Sequence, residues 1–266
     1  MASLALSGDQ SGSILAARAL SVARGGSCVI ERLSLALPRG ESLAIVGESG
    51  CGKSTLLQAL AGLLPAASGE VERRYERSAF VWQDLGLVPW KRVMDNMMLP
   101  LQVGPARTGR AEARARARTM LERLGLAELS ERWPAELSGG QRQRLAIGRA
   151  LIAEPAVLFM DEPFSALDAM RRERLQEDIA SLAAERGTSL VFVTHDIGEA
   201  VFLAQKILLL AAHPFRSLGL LENSACALGA GGGYAALRES EAFGSAVRLI
   251  HQTLRRAAPT DAGRQP

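Results

Sequence analysis

Residues 47–55 read GESGCGKST, which matches G-x-x-x-x-G-K-[ST], a spacing suited to holding phosphate. Gly47, Gly50 and Gly52 let the backbone curl so that its N–H groups point at phosphate oxygens. Lys53 supplies charge toward the β- and γ-phosphates, and Ser54 a hydroxyl for Mg²⁺. Glu48, Ser49, Cys51 and Thr55 complete the candidate nucleotide loop, with Cys51 read as a small residue pointing away from ligand. Further on, AVLFMDEP (156–163) ends an apolar run in two adjacent carboxylates. Alternation along a strand sends them in different directions, Asp161 toward Mg²⁺ and Glu162 toward an attacking water as general base. His195 in VTHD and Gln83 directly after SAFVW each close another strand candidate. His195 could reach the γ-phosphate or orient the water, and Gln83 ends its strand beside the same edge.

A second glycine-containing motif, ELSGGQRQR, occupies 136–144. Ser138 followed three residues later by Gln141 has the spacing of a capping box. A helix start with bare glycines, Gly139 and Gly140, is also an anion site, because backbone N–H groups and the helix dipole are left accessible. The first loop already holds the phosphates of its own nucleotide. The economical use of the second motif is to close on the nucleotide of a second subunit.

These residues require particular elements. SLAIV (42–46) is a short apolar run of the kind that fills a buried parallel strand, and STLLQALAGLL after the loop is helical until Pro65. SILAARALSVA and CVIERLSLALP read as β-like stretches, and AVLFM, SLVFVT and KILLL as further strands. RRERLQEDIASLAAERG is an amphipathic helix closed by Gly187. SAFVW is followed by a Pro-containing segment, DLGLVPWKRV, and then by a stretch to about 150 whose periodicity is helical throughout. Strands alternating with helices imply a parallel sheet, and the helical block at about 84–150 reads as an insertion into it. After about 213 glycine and alanine dominate, with GAGGG at 229–233, which predicts a flexible stretch and one terminal helix over YAALRESEAFGSAVRLIHQTLRR.

Composition bounds the rest. A chain of 266 residues fits one large α/β domain, or one domain with an inserted subdomain. A net charge of +3 is too small for a nucleic-acid footprint, and the basic run RTGRAEARARAR reads as a solvated helix face. Three cysteines without metal-like spacing fit a reducing compartment. The first residues lack a basic region before the apolar ones, so no secretory signal is expected, and no apolar run reaches the roughly 20 residues that span a bilayer.

In order along the chain, GESGCGKST, VWQD, LSGGQ, VLFMDEP, SALD and VTHD resemble the Walker A, Q-loop, signature, Walker B, D-loop and H-loop of the ATP-binding subunits of ABC transporters. The resemblance implies an α/β P-loop NTPase with a RecA-like parallel-sheet core, an N-terminal antiparallel β-subdomain and an inserted α-helical subdomain. The cassette would span 12–212, with 213–266 as a tail. It implies a dimer, here a homodimer, that traps two ATP with Mg²⁺ between the Walker A of one subunit and the signature of the other. Gln83 would link the nucleotide site to transmembrane permease subunits, and Asp168 in SALD would couple the two sites. Ser54, Gln83 and Asp161 are the implied metal residues. A periplasmic or extracellular solute-binding protein would take part indirectly, nucleic acid would not, and the chain would sit peripherally on the cytoplasmic face of the plasma membrane.

QDLGLVPWKRVMDN and THDIGEAVFLAQKILLL are similar to importers of nitrate, sulfonate, taurine and related small solutes. Alternatives with the same chemistry are the ATPase of an exporter or lipid extractor, and a soluble ATPase of the superfamily. The chain departs from the family where an aromatic residue usually stacks on adenine: Arg24 stands there, and a guanidinium can also stack on a base.

Overall fold

The computed structural model describes residues 12–25, 27–103, 108–165, 167–212, 215–227 and 234–257. The SLAIV run forms β3 (Ser42–Gly47), buried at every position. It pairs in parallel with β7 (Ser189–Thr194) on one side and β8 (Lys206–Ala212) on the other. β6 (Val157–Asp161) and β5 (Ser78–Val81) extend the sheet in parallel beyond β7. A sixth strand, β9 (Phe215–Glu222), closes the other edge antiparallel to β8, giving the order β5-β6-β7-β3-β8-β9.

Strand alternation splits the apolar side chains into two cores. Ala44, Val46, Leu158, Met160, Leu190 and Phe192 face one side, where helices cover them. Leu43, Ile45, Val157, Phe159, Val191 and Val193 face the other, against α1 (Lys53–Ala61) and a separate three-stranded antiparallel sheet. That sheet is β2-β1-β4, from β1 (Ser13–Arg24), β2 (Ser27–Pro38) and β4 (Ser68–Arg73). A sheet buried on both faces explains why its strands read as continuous apolar runs.

The insertion comprises α2 (Val93–Val103), α3 (Arg110–Arg123) and α4 (Gly139–Leu151), with short 3₁₀ turns at Ala127–Leu129 and Pro134–Glu136. The basic run within α3 is the expected solvated face: Ala113, Ala117, Met120 and Leu121 point inward, while Arg114, Arg116 and Arg123 pair with Glu131, Glu154 and Glu185. The chain then returns to the sheet and continues through α5 (Ala169–Arg186) and α6 (Ile197–Leu203).

Residues 84–92, the Pro-containing segment, are turns held by the buried Asn96, whose carbonyl accepts from Val88 N–H (2.9 Å) and whose amide donates to the carbonyls of Val88 (3.0 Å) and Lys91 (2.8 Å). Two features differ from the sequence expectation. β4 and β9 are short or edge strands with weak patterns, SGEVER and FRSLGLLE, formed through pairing with distant partners. The terminal helix is two helices, α7 (Tyr234–Glu239) and α8 (Glu241–Ala257), because Ser240 ends the first and its hydroxyl accepts from Phe243 N–H (3.1 Å) to cap the second. The glycine run at 229–233 lies outside the described residues.

α8 is no loose appendage. Phe243, Ala246, Val247, Ile250 and Leu254 recur at helical spacing and pack on the sheet's helical face, with Ile250 buried. Arg238 of α7 lies 3.7 Å over the Phe202 ring of α6 and donates to Gln176 of α5 (2.8 Å). Ile250→Ala should therefore destabilise the whole chain by about 2–4 kcal/mol, read as a shift of the denaturant midpoint. An unchanged midpoint would mean that α8 is not part of the cooperative fold.

Candidate functional site

Parallel register brings the predicted residues to one sheet edge. Val46 pairs with Thr194 and Asp161 with Val193, so the ends of β3, β6 and β7 deliver Gly47, Glu162 and His195 side by side. This is the carboxyl edge, where open α/β sheets bind ligands.

The loop after β3 closes tightly. Gly52 caps α1 in a left-handed conformation (φ 85°), and any Cβ there would overlap Val29 of β2, so this position requires glycine. The Lys53 ammonium is folded into the loop, donating to the carbonyls of Gly47 (2.9 Å) and Glu48 (2.8 Å), and the residue is only 5% exposed. Cys51 is buried beside Gly47, as the sequence reading expects, and burial pushes its thiol pKa up. Ser54 donates to Asp161 Oδ1 (2.8 Å), tying the helix start to the end of β6.

The two carboxylates do diverge, with help from the backbone. Asp161 lines a cleft of about 750 Å³ with Arg24, Ser54, Gln58, Trp82, Gln83, Asp84 and Gly86. Burial raises its pKa, aided by the Glu162 charge and opposed by the Ser54 hydrogen bond. Glu162 instead faces a second cleft with Ser49, Gly50, Lys53 and Thr55. Its φ of 46° is a left-handed value rare outside glycine, held by its N–H on the Val193 carbonyl (3.1 Å) and by the Ser165 hydroxyl on its own carbonyl (3.1 Å). His195 Nδ1 lies 3.7 Å from Glu162 Oε2. Arg24 borders both clefts and donates to Thr55 Oγ1 (3.4 Å).

The second motif is also where its residue types require. Ser138 caps α4 reciprocally: Gln141 N–H donates to its hydroxyl (3.3 Å), and the Gln141 side chain accepts from Ser138 N–H (2.8 Å). Gly140 packs against Leu167, whose side chain would have to shift to admit a Cβ. Ser138, Gly140 and Gln141 line a cleft of about 190 Å³ with Arg144 and Arg171, and it shares no residue with the two clefts at the sheet edge. Asp168 is exposed and caps α5 by accepting from Arg171 N–H (3.1 Å).

A charge network around the buried Glu199, behind His195, escaped the sequence reading. Glu199 of α6 accepts from the Thr194 hydroxyl and lies 3.6 Å from Arg172 Nε, while Arg172 also pairs with Asp196 (2.9 Å) and donates to the Leu167 carbonyl (3.1 Å). Burial, with the Asp196 and Glu162 charges adding, raises the Glu199 pKa to about 7 against the pull of Thr194 and Arg172. The D-x-x-E spacing from Asp196 to Glu199 was a usable signal. It suggests a capping box, but the structure gives the Asp196 N–H to Thr194 (3.0 Å) and frees Glu199 to face inward.

The family model described as ABC transporter matches residues 30–165. An aliphatic sulfonates import ATP-binding protein (SsuB 2) of Pseudomonas aeruginosa is 45% identical over 203 residues, covering 74% of this chain and 71% of the relative. A taurine import ATP-binding protein (TauB) of the same species is 45% identical over 195 residues, covering 71% and 73%. Among solved structures, a dimeric ATP-binding cassette in a post-hydrolysis state with ADP and Pi superposes with a TM-score of 0.70 at 28% identity, covering 78% of this chain and 98% of that one.

Glu199 gives a testable pH dependence. Its folded pKa lies above the ordinary value of 4.5, so the fold favours its protonated form. Its contribution to stability is full below about 4.5, falls as pH rises to about 7, and is constant above. The stability of wild type minus that of Glu199→Gln should therefore decline over this window by at most about 3 kcal/mol, at roughly 1.4 kcal/mol per pH unit. Urea unfolding of both proteins across the window measures it; a flat difference would refute the assignment.

Proposed function

Because the chain belongs to the ABC transporter family and is an ATP-binding ATPase of it, we propose that two copies close head to tail over two ATP to drive the permease of an importer. The carrying observation is the separation of the signature cleft at Ser138, Gly140 and Gln141 from the clefts around Lys53 and Asp161 in one chain. Each is half of a nucleotide site, and a second copy supplies the other half. The relatives that import sulfonates and taurine support a small anion of that class, or nitrate, as the solute.

In this reading the loop N–H groups and Lys53 bind the phosphates, and Ser138, Gly139, Gly140 and Gln141 approach the same phosphates from the partner copy. Ser54, Asp161 and Gln83 supply hard oxygen donors around one cleft, which fits Mg²⁺ carried with the nucleotide. No group of three or more His, Cys, Asp or Glu that could hold a metal occurs among the described residues, as expected where phosphates complete the coordination. When bound, Mg²⁺ neutralises charge on the β- and γ-phosphates. Glu162 holds the proton of the attacking water, and His195 beside it orients that water or contacts the γ-phosphate. Asp168 faces the partner copy and couples the two sites.

No helix among the described residues is long and apolar enough to cross a membrane. The proposed place of the chain is the cytoplasmic face, against permease subunits fed by a solute-binding protein. Trp90, 75% exposed just beyond the Gln83 loop, suits such a contact.

Glu162→Gln should lower ATP hydrolysis by a hundredfold or more while ATP with Mg²⁺ converts the protein to a stable dimer, measured by turnover and size exclusion. Adding Ser138→Arg should return it to a monomer that still binds ATP. Normal turnover in the first variant, or dimerisation surviving in the second, would overturn these roles. Purified from its own cells' membranes, the Glu162→Gln complex should carry a multi-span permease.

A further inference from the structure

Arg149 stands in the last turn of α4, half-buried and without an ion pair among the described residues. Its Nη2 donates to the carbonyl of Leu85 (3.0 Å), and its Nη1 lies 3.5 Å from Asn96 Oδ1. Leu85 and Gly86 follow Gln83 closely and hold successive left-handed conformations (φ 64° and 52°). Leucine seldom adopts such a value, so the surroundings must hold the loop in shape. The polar holders include Arg149, the Asn96 amide and a turn hydrogen bond from Leu85 N–H to the Trp82 carbonyl (2.9 Å), beside the packing of Leu85 and Leu87 on the helical core. Burial, which lowers the Arg149 pKa, leaves the guanidinium dependent on these acceptors.

Helix α4 begins at the Ser138 cap and reaches Arg149 roughly 15 Å later, at about 1.5 Å per residue. One rigid element thus carries the signature motif at its first turn and grips the Gln83 loop at its last. We propose that Arg149 is a positioning residue that fixes Gln83 through the Leu85 carbonyl and makes the Gln83 loop follow the signature helix. This rests on the head-to-tail dimer, in which α4 touches one nucleotide and Gln83 the other. Engagement of the signature on the partner's nucleotide then reaches this chain's own metal side without passing through the β-sheet. Lysine keeps the charge but lacks the planar fork that serves two acceptors.

The test uses the full chain carrying Arg149→Lys or Arg149→Gln, each alone and combined with Gln83→Ala. Arg149→Lys should lower kcat at least tenfold with ATP affinity changed less than threefold. In the Gln83→Ala background its further effect should shrink below twofold, because both changes act on the same group. Hydrogen exchange supplies a readout independent of turnover. In the Glu162→Gln protein, ATP should slow exchange in both 138–151 and 83–90; with Arg149→Lys added, only 138–151 should respond. Equal losses of kcat in both Gln83 backgrounds, or normal protection of 83–90, would overturn the proposal. If ATP slows exchange in neither segment when Arg149 is intact, the dimer reading has failed instead. Should Arg149→Gln unfold the insertion, the Lys variant carries both readouts.

Discussion

The site depends on one constraint, the parallel register of the central strands. Because β3, β6 and β7 run in the same direction and end level, a phosphate loop meets at one edge a carboxylate pair and a histidine that each lie more than a hundred residues further along the sequence. The Ser54 to Asp161 hydrogen bond fastens that meeting point, and the fully buried SLAIV run makes a slipped alternative costly on both faces at once. The helical insertion can be read as a consequence. It departs from the sheet after β5 and returns at β6, so Gln83 at its departure lies beside the Walker residues while Ser138 is carried away from them.

Much of this was legible because the chemistry is local in sequence. A glycine-rich loop between an apolar run and an amphipathic helix states its own secondary structure, and AVLFMDEP states where a strand must end. The motifs alone assign Gly47, Lys53, Ser54, Asp161, Glu162 and His195 to one sheet edge. Ser138 and Gln141 form the capping box that their spacing implies. β4 and β9 were illegible for the opposite reason, since SGEVER and FRSLGLLE acquire their conformation from partners far along the chain.

Polar residues turned inward were the other blind spot. Arg172 sits in a helix crowded with exposed arginines and glutamates, Arg149 is one of three arginines in α4, and nothing in their spacing separates them from surface charge. Their roles come from which carbonyls happen to face them: Leu85 for one, Leu167 for the other. Asn96 is similar, a single buried amide that organises a whole turn region by hydrogen bonds to backbone on both sides of Pro89. Such groups specify a shape by leaving no other partner available. Arg149 ties the Gln83 loop to α4 through a main-chain carbonyl, and Arg172 ties the Leu167 carbonyl to the Asp196 carboxylate just past His195.

The central position of β3 also sets the order in which the molecule can be made. Its neighbours are residues 189–194 and 206–210, synthesised some 140 to 160 residues after it. At roughly 5–20 residues per second, the emerging chain carries an unpaired apolar strand for about ten to thirty seconds. The central sheet therefore closes only after residue 210 has emerged, and high contact order makes that closure slow compared with forming α1 or α4. The phosphate loop, the most local of the motifs, waits for strands well over a hundred residues further along to fix the strand it hangs from.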